Sequence, residues 1–528
     1  MKKHILLILV ITLPLLCFAQ KEHTKQDAQV TMKRATTFMM NKVSHNGGFL
    51  WNYLPDFSRT WGELEAYPTS VWVQSPGTPA IGNILLDAYH ATDDEFYYQM
   101  AEKVANILIF GQLECGGWNY LFDLAGEGSL KRWYETIGKN AWGCGEFNHY
   151  YGNATFDDSV TADAANFIMR IDMEKLYPRY KPSRDKAVDF IRQSQFAIGG
   201  WPQRYPLMYD YPGKNGEPDY TSCITLNDDV IDDNIEFLLR CYHVLGDARA
   251  YDALIRAMNC VRILQQGHPT AGWADQYTLD MKPASAREFE PAAITTSGTV
   301  SCIRNLLQYY QMTADAKFLS GIPDALDFLE SVALEQKDIS KMNKKLEKGQ
   351  ILCPRFLIPN TQTPLYLHRK GTHVNNGTYY FDQELDNLIE HYSSVVTINI
   401  EKLRKEYETI KSTPLEKIQN SSSFLNAINN KLPSYYSGEL AKIDEKKAKD
   451  LISSLNKTGY WDAPLTYITN PYIGEGKSDD PVPSLYQQTL YGQYNTAIYQ
   501  PQEPVIGISS KTFIKNMFNL ICFLKENE

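Results

Sequence analysis

Two short acidic clusters contain the residue types best suited to bind a cation. One is Asp157-Asp158, and the other is the segment TLNDDVIDDN at residues 225–234. Aspartates four positions apart on a helix repel each other, at a cost of about a few tenths of a kcal/mol per pair. Two interpretations remain open: the clusters cap helix N-termini, or their carboxylates coordinate a hard cation such as Ca²⁺.

A cationic strip lies further along the chain. Residues 350–381 contain no Asp or Glu, although the chain as a whole is acidic. Arginine suits bidentate recognition of carboxylates, and the alternative is an exposed loop with ordinary surface charge. Because the strip is rich in Pro, Thr and Asn, we predict a loop. Its basic residues are Arg355, His368, Arg369, Lys370 and His373.

A further arginine, Arg287, lies between these features in sequence, beside Glu288 and Glu290. Such an arginine is often part of a structural ion pair. Together with the acidic clusters and the many Tyr and Trp residues, however, it completes a set of cation site, carboxylate clamp and stacking surfaces. This combination predicts an acidic polysaccharide as the binding partner.

A repeated phrase indicates the elements that position these residues. Gly-Gly followed by an aromatic residue begins at residues 47, 116 and 199, Ala-Gly-Trp begins at 271, and Gly-Tyr-Trp at 459 is a looser copy. Amphipathic segments ending in glutamine precede three of them. The unit of helix, glycine turn, aromatic loop and helix predicts an all-α protein, an (α/α) toroid of repeated helix pairs with aromatic loops lining a groove. We expect the Gly-Trp turns to be structural, with glycine at each helix end as a cap of positive φ.

Composition excludes several classes of protein. The chain has 528 residues, a formal charge of −10, and 43% hydrophobic and 12% aromatic residues, so it is folded and unsuited to neutralising nucleic-acid phosphates. Residues 1–19 have a basic start and a short apolar run, which predicts a signal peptide cleaved near Ala19/Gln20 and hence a secreted or periplasmic protein. No later segment predicts a membrane span, and we expect a monomer.

The motifs resemble polysaccharide lyase family 10, the pectic acid lyases, over roughly residues 100 to 395. The resemblance rests on GGWPQRYP followed by ITLNDD, on GWADQYTLDMKPASAREFEP, and on the cationic strip from PRF to the Arg-Lys-Gly at 369–371. It implies a toroid that cleaves polygalacturonate by Ca²⁺-assisted β-elimination.

The resemblance also implies roles for individual residues. Arg369 is expected to be the catalytic base that removes the C5 proton of the uronate. Substrate-binding roles are expected for Arg287, Arg355, Asp157, Trp201 and Lys370, and Ca²⁺-binding roles for Asp228, Asp229 and Asp158.

The chain departs from the family pattern in three places. Asp157-Asp158 replaces Asp-Asn, Gln362-Thr363-Pro364 replaces Asn-Arg-Pro, and the turn at Gly116 continues as Trp-Asn-Tyr where Trp-Pro-Lys is usual. These differences affect the identity of the uronate more than the type of reaction.

We therefore predict a secreted lyase that acts on an uronate polysaccharide, with pectate first. The predicted divisions are a signal peptide (1–19), an N-terminal helix-pair extension (20–100), a catalytic core (101–398) and a C-terminal extension (399–528). The alternatives are a lyase for another uronate polymer such as ulvan or glucuronan, a toroid glycoside hydrolase using Asp157 and Asp228, and a non-catalytic glycan-binding protein.

Overall fold

Helices form most of the fold in the computed structural model. It describes residues 22–138, 152–207, 219–287, 289–342, 344–370, 378–386, 388, 393–422, 424–425, 436–465 and 505–525. The helices are α1 (22–38), α2 (Thr78–Thr92), α3 (Glu95–Phe110), α4 (Glu127–Thr136), α5 (Val160–Lys175), α6 (Lys181–Gln193), α7 (Val230–Leu245), α8 (Ala248–Ile263), α9 (Thr296–Thr313), α10 (Ile322–Ser331), α11 (Gln336–Lys341), α12 (Ile400–Lys411), α13 (Leu415–Ser421), α14 (Glu445–Ser454) and α15 (Ser510–Lys525).

These helices pack as a succession of pairs. The helix α2 packs against α3 and α5, α5 against α6 and α7, α7 against α8, and α9 against α8 and α10. The last helix, α15, packs against α2 and α14, so the C-terminal part of the chain returns to the first helix pair. The predicted all-α (α/α) toroid is confirmed.

Short strands connect the helices. They are β1 (Asn52–Tyr53), β2 (Thr60–Trp61), β3 (Glu65–Ala66), β4 (Ser70–Trp72), β5 (Leu121–Asp123), β6 (Ala154–Thr155), β7 (Arg204–Tyr205), β8 (Ile224–Thr225), β9 (Trp273–Ala274), β10 (Gln276–Tyr277), β11 (Ile294–Thr295), β12 (Gln350–Pro354), β13 (Phe356–Leu357), β14 (Pro364–Lys370), β15 (Thr378–Asp382), β16 (Val395–Asn399), β17 (Ala463–Pro464) and β18 (Ile506–Ser509). Antiparallel pairs join successive repeats, as in β6 with β7 and β8 with β10. The pairing of β18 with β1 joins the two ends of the chain.

The Gly-Trp turns are structural, as predicted. Trp118, Trp201 and Trp273 are fully buried, and each indole N–H donates to a carbonyl near the end of the preceding helix, at 2.8, 2.7 and 2.6 Å. Burying an indole requires such a partner for its N–H. The repeated tryptophan therefore attaches each turn to the helix before it.

The predicted role of the turn glycines as helix caps is wrong. Gly116 and Gly199 lie six residues beyond the ends of α3 and α6, at φ +110° and +111°. A Cβ atom on Gly199 would lie 2.1 Å from the carbonyl oxygen of Arg256, and one on Gly116 would lie 2.4 Å from that of Lys186. Glycine is needed because each turn closely approaches the backbone of a following helix, α6 at Gly116 and α8 at Gly199.

The prediction of a loop over residues 350–381 is also wrong, because this segment contains strands β12 to β15. The strand β14 pairs with β15 from Tyr366↔Asp382 to Lys370↔Thr378. The Pro, Thr and Asn residues had indicated only the turns.

The predicted divisions at 100/101 and 398/399 fall inside α3 and β16, and the division of the chain into a core and two extensions stays a prediction. The predicted signal peptide lies outside the described residues. Among the described residues, no helix is long and apolar enough to cross a membrane.

Candidate functional site

Two similar turns position the acidic clusters. In each, a short strand is followed by two consecutive non-glycine residues of positive φ and then by a helix. Asp158 and Ser159 occupy these positions before α5, at φ 49° and 61°, and Asp228 and Asp229 occupy them before α7, at 53° and 57°. A left-handed conformation costs of order 1 kcal/mol or more per residue outside glycine and recurs at functional sites. The capping interpretation alone does not account for four such residues.

The turns bring three carboxylates together. One oxygen from each of Asp157, Asp158 and Asp228 lies within 4.8 Å of the others, with Asp157 buried and Asp158 exposed. Asp229 is exposed and lies outside this group, so the structure does not bring it to the site as predicted. Asp157, to which the resemblance gave a substrate-binding role, belongs to this group of candidate cation ligands.

The donor set fits a hard cation. Asp157 Oδ1 is buried and has no hydrogen-bond partner among the described residues. A buried carboxylate oxygen without a partner is costly. Ca²⁺ takes six to eight oxygen ligands, so three carboxylates would hold the ion and leave positions for water and a substrate carboxylate.

Arg287 lies between the two acidic turns. Its Nη2 is 3.2 Å from Asp157 Oδ2, and its Nη1 is 3.5 Å from Asp228 Oδ2 and 3.3 Å from Glu290 Oε1. Only 9% of the Arg287 side chain is exposed. The position of Arg287 is compatible with a structural ion pair and with substrate binding. It forms ion pairs, and it also borders the acidic cluster where a substrate carboxylate would bind.

The pKa values of Asp157 and Asp228 are shifted in opposite directions. Burial raises the pKa of Asp157, but the charge of Arg287 and hydrogen bonds from Asp228 and Tyr120 outweigh burial, so its pKa lies below the usual value. Burial and the charge of Asp157 hold the pKa of Asp228 well above its usual value. Without a cation, a proton on Asp228 would therefore reduce the repulsion between the two side chains.

Arg355 is attached to the same group of turns from another side. It lies between β12 and β13, and its carbonyl accepts from the Thr296 amide at 3.0 Å. Burial raises the pKa of Asp275, and the charge of Arg355 opposes that increase. The Asp275 carbonyl accepts from the Leu226 amide at 2.8 Å. Backbone contacts thus connect the Arg355 segment to the turn that contains Asp228.

Arg369 and Lys370 lie on β14, and their side chains are outside the described residues. Arg369 pairs across the sheet with Tyr379, whose ring is 5.4 Å from that of Phe289. Since Phe289 lies two residues after Arg287, the backbone at Arg369 is close to the Arg287 turn. The convergence of the three arginines on one point remains a prediction.

Trp201 does not contribute a binding surface. Its side chain is fully buried and its indole donates to the carbonyl of Ile191, which contradicts its predicted contact with substrate. The tryptophan of GGWPQRYP had been assigned to the groove, whereas the repeat uses this position for packing.

Sequence reasoning missed Gln74, Tyr120 and Arg204. Tyr120 donates to Asp157 Oδ2, and Gln74 Nε2 is 2.6 Å from Asp158 Oδ2. A glutamine follows the tryptophan within three positions at Gln74, Gln203 and Gln276. Alignment of the repeats on tryptophan could have identified Gln74.

Comparison with known proteins bears on this site. Residues 133–384, slightly less than half of the chain, match the family model described as pectic acid lyase. The resemblance to the pectic acid lyases is confirmed. The matched segment includes Asp157, Asp158, Asp228, Arg287 and the cationic strip, and the prediction that the chain is a lyase enzyme is confirmed at the level of the family.

Solved structures similar to this chain include a family 10 polysaccharide lyase variant from Cellvibrio cellulosa in complex with trigalacturonic acid. It is 16% identical with a TM-score of 0.41, over 62% of this chain and 98% of that chain. An α-1,6-mannanase from a Salegentibacter species is 10% identical with a TM-score of 0.35, over 95% and 99%. At these scores the likeness supports no statement about the site of this chain. No match was found among curated protein sequences.

Proposed function

We propose that this polysaccharide lyase cleaves an uronate polymer, with polygalacturonate as the preferred substrate, by Ca²⁺-assisted β-elimination. The observation that carries the proposal is the cluster of Asp157, Asp158 and Asp228 with Arg287 between its members, within the segment that matches the pectic acid lyases. An acidic substrate suits a site that combines cation ligands with guanidinium groups.

The chemistry requires a neutralised carboxylate. The C5 hydrogen of a uronate is removable only when the adjacent carboxylate can accept negative charge, and cationic groups stabilise that charge. Ca²⁺ bound by the three aspartates would supply part of it. Arg287 and Arg355 would bind and orient the substrate carboxylate, and Lys370 would assist them.

Arg369 is the proposed base. Its guanidine would accept the C5 proton, a double bond would form between C4 and C5, and the C4–O bond would break, with water protonating the departing oxygen. A free guanidinium has a pKa above about 12, so this role requires an environment that favours the neutral form. Adjacent positive charges act in that direction.

A glycoside hydrolase is less well supported. Hydrolases hold two carboxyl groups about 5–5.5 Å apart in retaining enzymes and about 6.5–9.5 Å apart in inverting enzymes. Oxygens of Asp157 and Asp228 lie within 4.8 Å of one another, and both side chains contact Arg287. The two oxygens are therefore closer than either class of hydrolase requires, and both carboxylates are paired with Arg287.

The test is incubation with polygalacturonate, glucuronan, ulvan and alginate, with Ca²⁺ or with EDTA. We expect an increase in ultraviolet absorbance from the new double bond on at least one polymer, and its loss in EDTA. Arg369→Ala should abolish the increase, whereas Arg304→Ala, a change at an exposed ion pair, should not. Reducing ends without absorbance would favour a hydrolase, and binding without product would favour a glycan-binding protein.

We also propose that the enzyme is secreted or periplasmic, on the evidence of the sequence of residues 1–19 alone, and that it is a monomer. Mass spectrometry of the exported protein should give an N-terminus at Gln20, and light scattering should give the mass of one chain.

A further inference from the structure

Two positions in the acidic cluster are held by side chains from outside the segment that matches the family. Gln74 and Tyr120 both precede residue 133, where the match begins. Both are almost fully buried, and each donates to a different member of the cluster. The N-terminal part of the chain thus contributes directly to the site.

The Gln74 side chain is fixed at both ends. Its Oε1 accepts from the Trp72 indole at 2.9 Å, which orients Nε2 towards Asp158 Oδ2 at 2.6 Å. The same Nε2 is 3.4 Å from Glu63 Oε2. This hydrogen bond helps to orient the Asp158 carboxylate, which is exposed.

Tyr120 holds Asp157 in a comparable way. Its hydroxyl donates to Asp157 Oδ2, the oxygen that also faces Arg287. The guanidinium of the buried Arg204 lies 5.2 Å from the Tyr120 ring and 3.3 Å from Asn119 Oδ1, which restricts the ring. With Oδ2 occupied, Asp157 Oδ1 is the oxygen left available to a ligand.

We propose that Tyr120 and Gln74 are positioning residues that orient Asp157 and Asp158 for cation binding, so that the turns before α2 and after α3 are an integral part of the site. The inference rests on the proposed function, because it assumes that the cluster binds a cation. Neighbours that orient metal ligands commonly contribute about 10- to 100-fold to metal affinity.

The test is calorimetric titration of the full chain with CaCl₂, which does not depend on turnover. We expect Tyr120→Phe and Gln74→Leu each to weaken Ca²⁺ binding about 10- to 100-fold, and Asp157→Asn to abolish it. Tyr89→Phe and Gln336→Leu are matched controls, because each removes a hydrogen bond of the same kind to a partner outside the cluster, Glu95 or Ser340. These controls should bind as the wild-type protein does.

The outcomes separate the two proposals. If the wild-type protein binds Ca²⁺, Asp157→Asn does not, and both positioning variants bind normally, the inference is overturned and the proposed cation site stands. If the wild-type protein binds no Ca²⁺, the cation site and this inference both fail. Circular dichroism melting in EDTA identifies any variant that does not fold, in which case the other variant decides.

Discussion

At the scale of single residues, the site is defined by how buried charges are compensated. Arg287 forms ion pairs with Asp157, Asp228 and Glu290. A bound cation would be coordinated by two of the same carboxylates, those of Asp157 and Asp228. The sequence predicted Asp157, Asp158, Asp228 and Arg287 as site residues because their types and spacing suit a cation and a carboxylate. It could not exclude Asp229, since which of two adjacent aspartates enters a cluster depends on the backbone conformation of the turn.

Arg287→Gln tests whether Arg287 and a bound cation compensate the same carboxylate charges. We expect a lower melting temperature without Ca²⁺, because breaking a buried ion pair costs about 3–5 kcal/mol, and a larger Ca²⁺-induced rise than in the wild-type protein, because the cation replaces the lost charge. Differential scanning calorimetry with and without CaCl₂ measures both. Arg404→Gln, at an exposed pair, is the control, and an equal Ca²⁺ shift in Arg287→Gln and wild type would contradict the argument.

A second acidic group, between α5 and α7, predicts a pH dependence of stability. Burial raises the pKa of Asp163 and Asp232 to about 6 and that of Asp233 to about 7, from 3.8. A carboxyl group with a raised pKa stabilises the folded state when protonated. This stabilisation is complete below the unfolded-state value and is lost as the pH rises to about 7.

Asp233→Asn should therefore stabilise the protein at pH 8 and have little effect at pH 4. One pKa unit corresponds to about 1.4 kcal/mol, and allowing for partial exposure we expect a gain on the order of 1 kcal/mol. Urea unfolding at the two pH values measures it. A gain that is the same at both would show that charge is not the cause.

At the scale of elements, the helices were the most predictable part of the fold. The amphipathic segments before the glycine turns correspond to α3, α6 and α8. They could be predicted because apolar residues on the buried face of a helix recur every three to four positions in the sequence. The strands of the cationic strip were missed, because β14 depends on its pairing with β15. Pairing with another strand leaves little signal within the sequence of the strand itself.

Gly199→Ala tests the requirement for glycine in the turns. The added methyl group would collide with the carbonyl of Arg256. The alanine would also have to adopt a φ of +111°, which is unfavourable for any residue with a Cβ atom. We expect a loss of stability of about 2–4 kcal/mol, measured by thermal unfolding. Gly267→Ala, where no atom lies within 4 Å of the new Cβ, should change stability little, and an equal effect of the two substitutions would contradict the packing argument.

At the scale of the whole molecule, the two ends of the chain stabilise each other. Besides α15 packing on α2 and β18 pairing with β1, the Ser437 amide donates to the buried Asp87 of α2 at 3.2 Å. The sequence predicted a C-terminal extension over residues 399–528, packed on the core. It did not indicate the partner, since a hydrophobic face does not identify the surface that covers it.

Phe523→Ala tests the closure of the toroid. Phe523 is fully buried in α15, and loss of a buried aromatic ring costs about 3–5 kcal/mol. We expect a large drop in melting temperature, whereas Lys515→Ala on the exposed face of the same helix should have almost no effect. A minor change in Phe523→Ala would mean that α15 contributes little to the fold.

The identity of the reaction products bears most directly on the proposed function. Proton NMR of polygalacturonate treated with the enzyme and Ca²⁺ distinguishes elimination from hydrolysis, because only elimination leaves an olefinic proton at C4 of the new terminal sugar. We expect that signal to accumulate in step with chain cleavage and to be absent in EDTA. Cleaved chains with only saturated ends would contradict β-elimination.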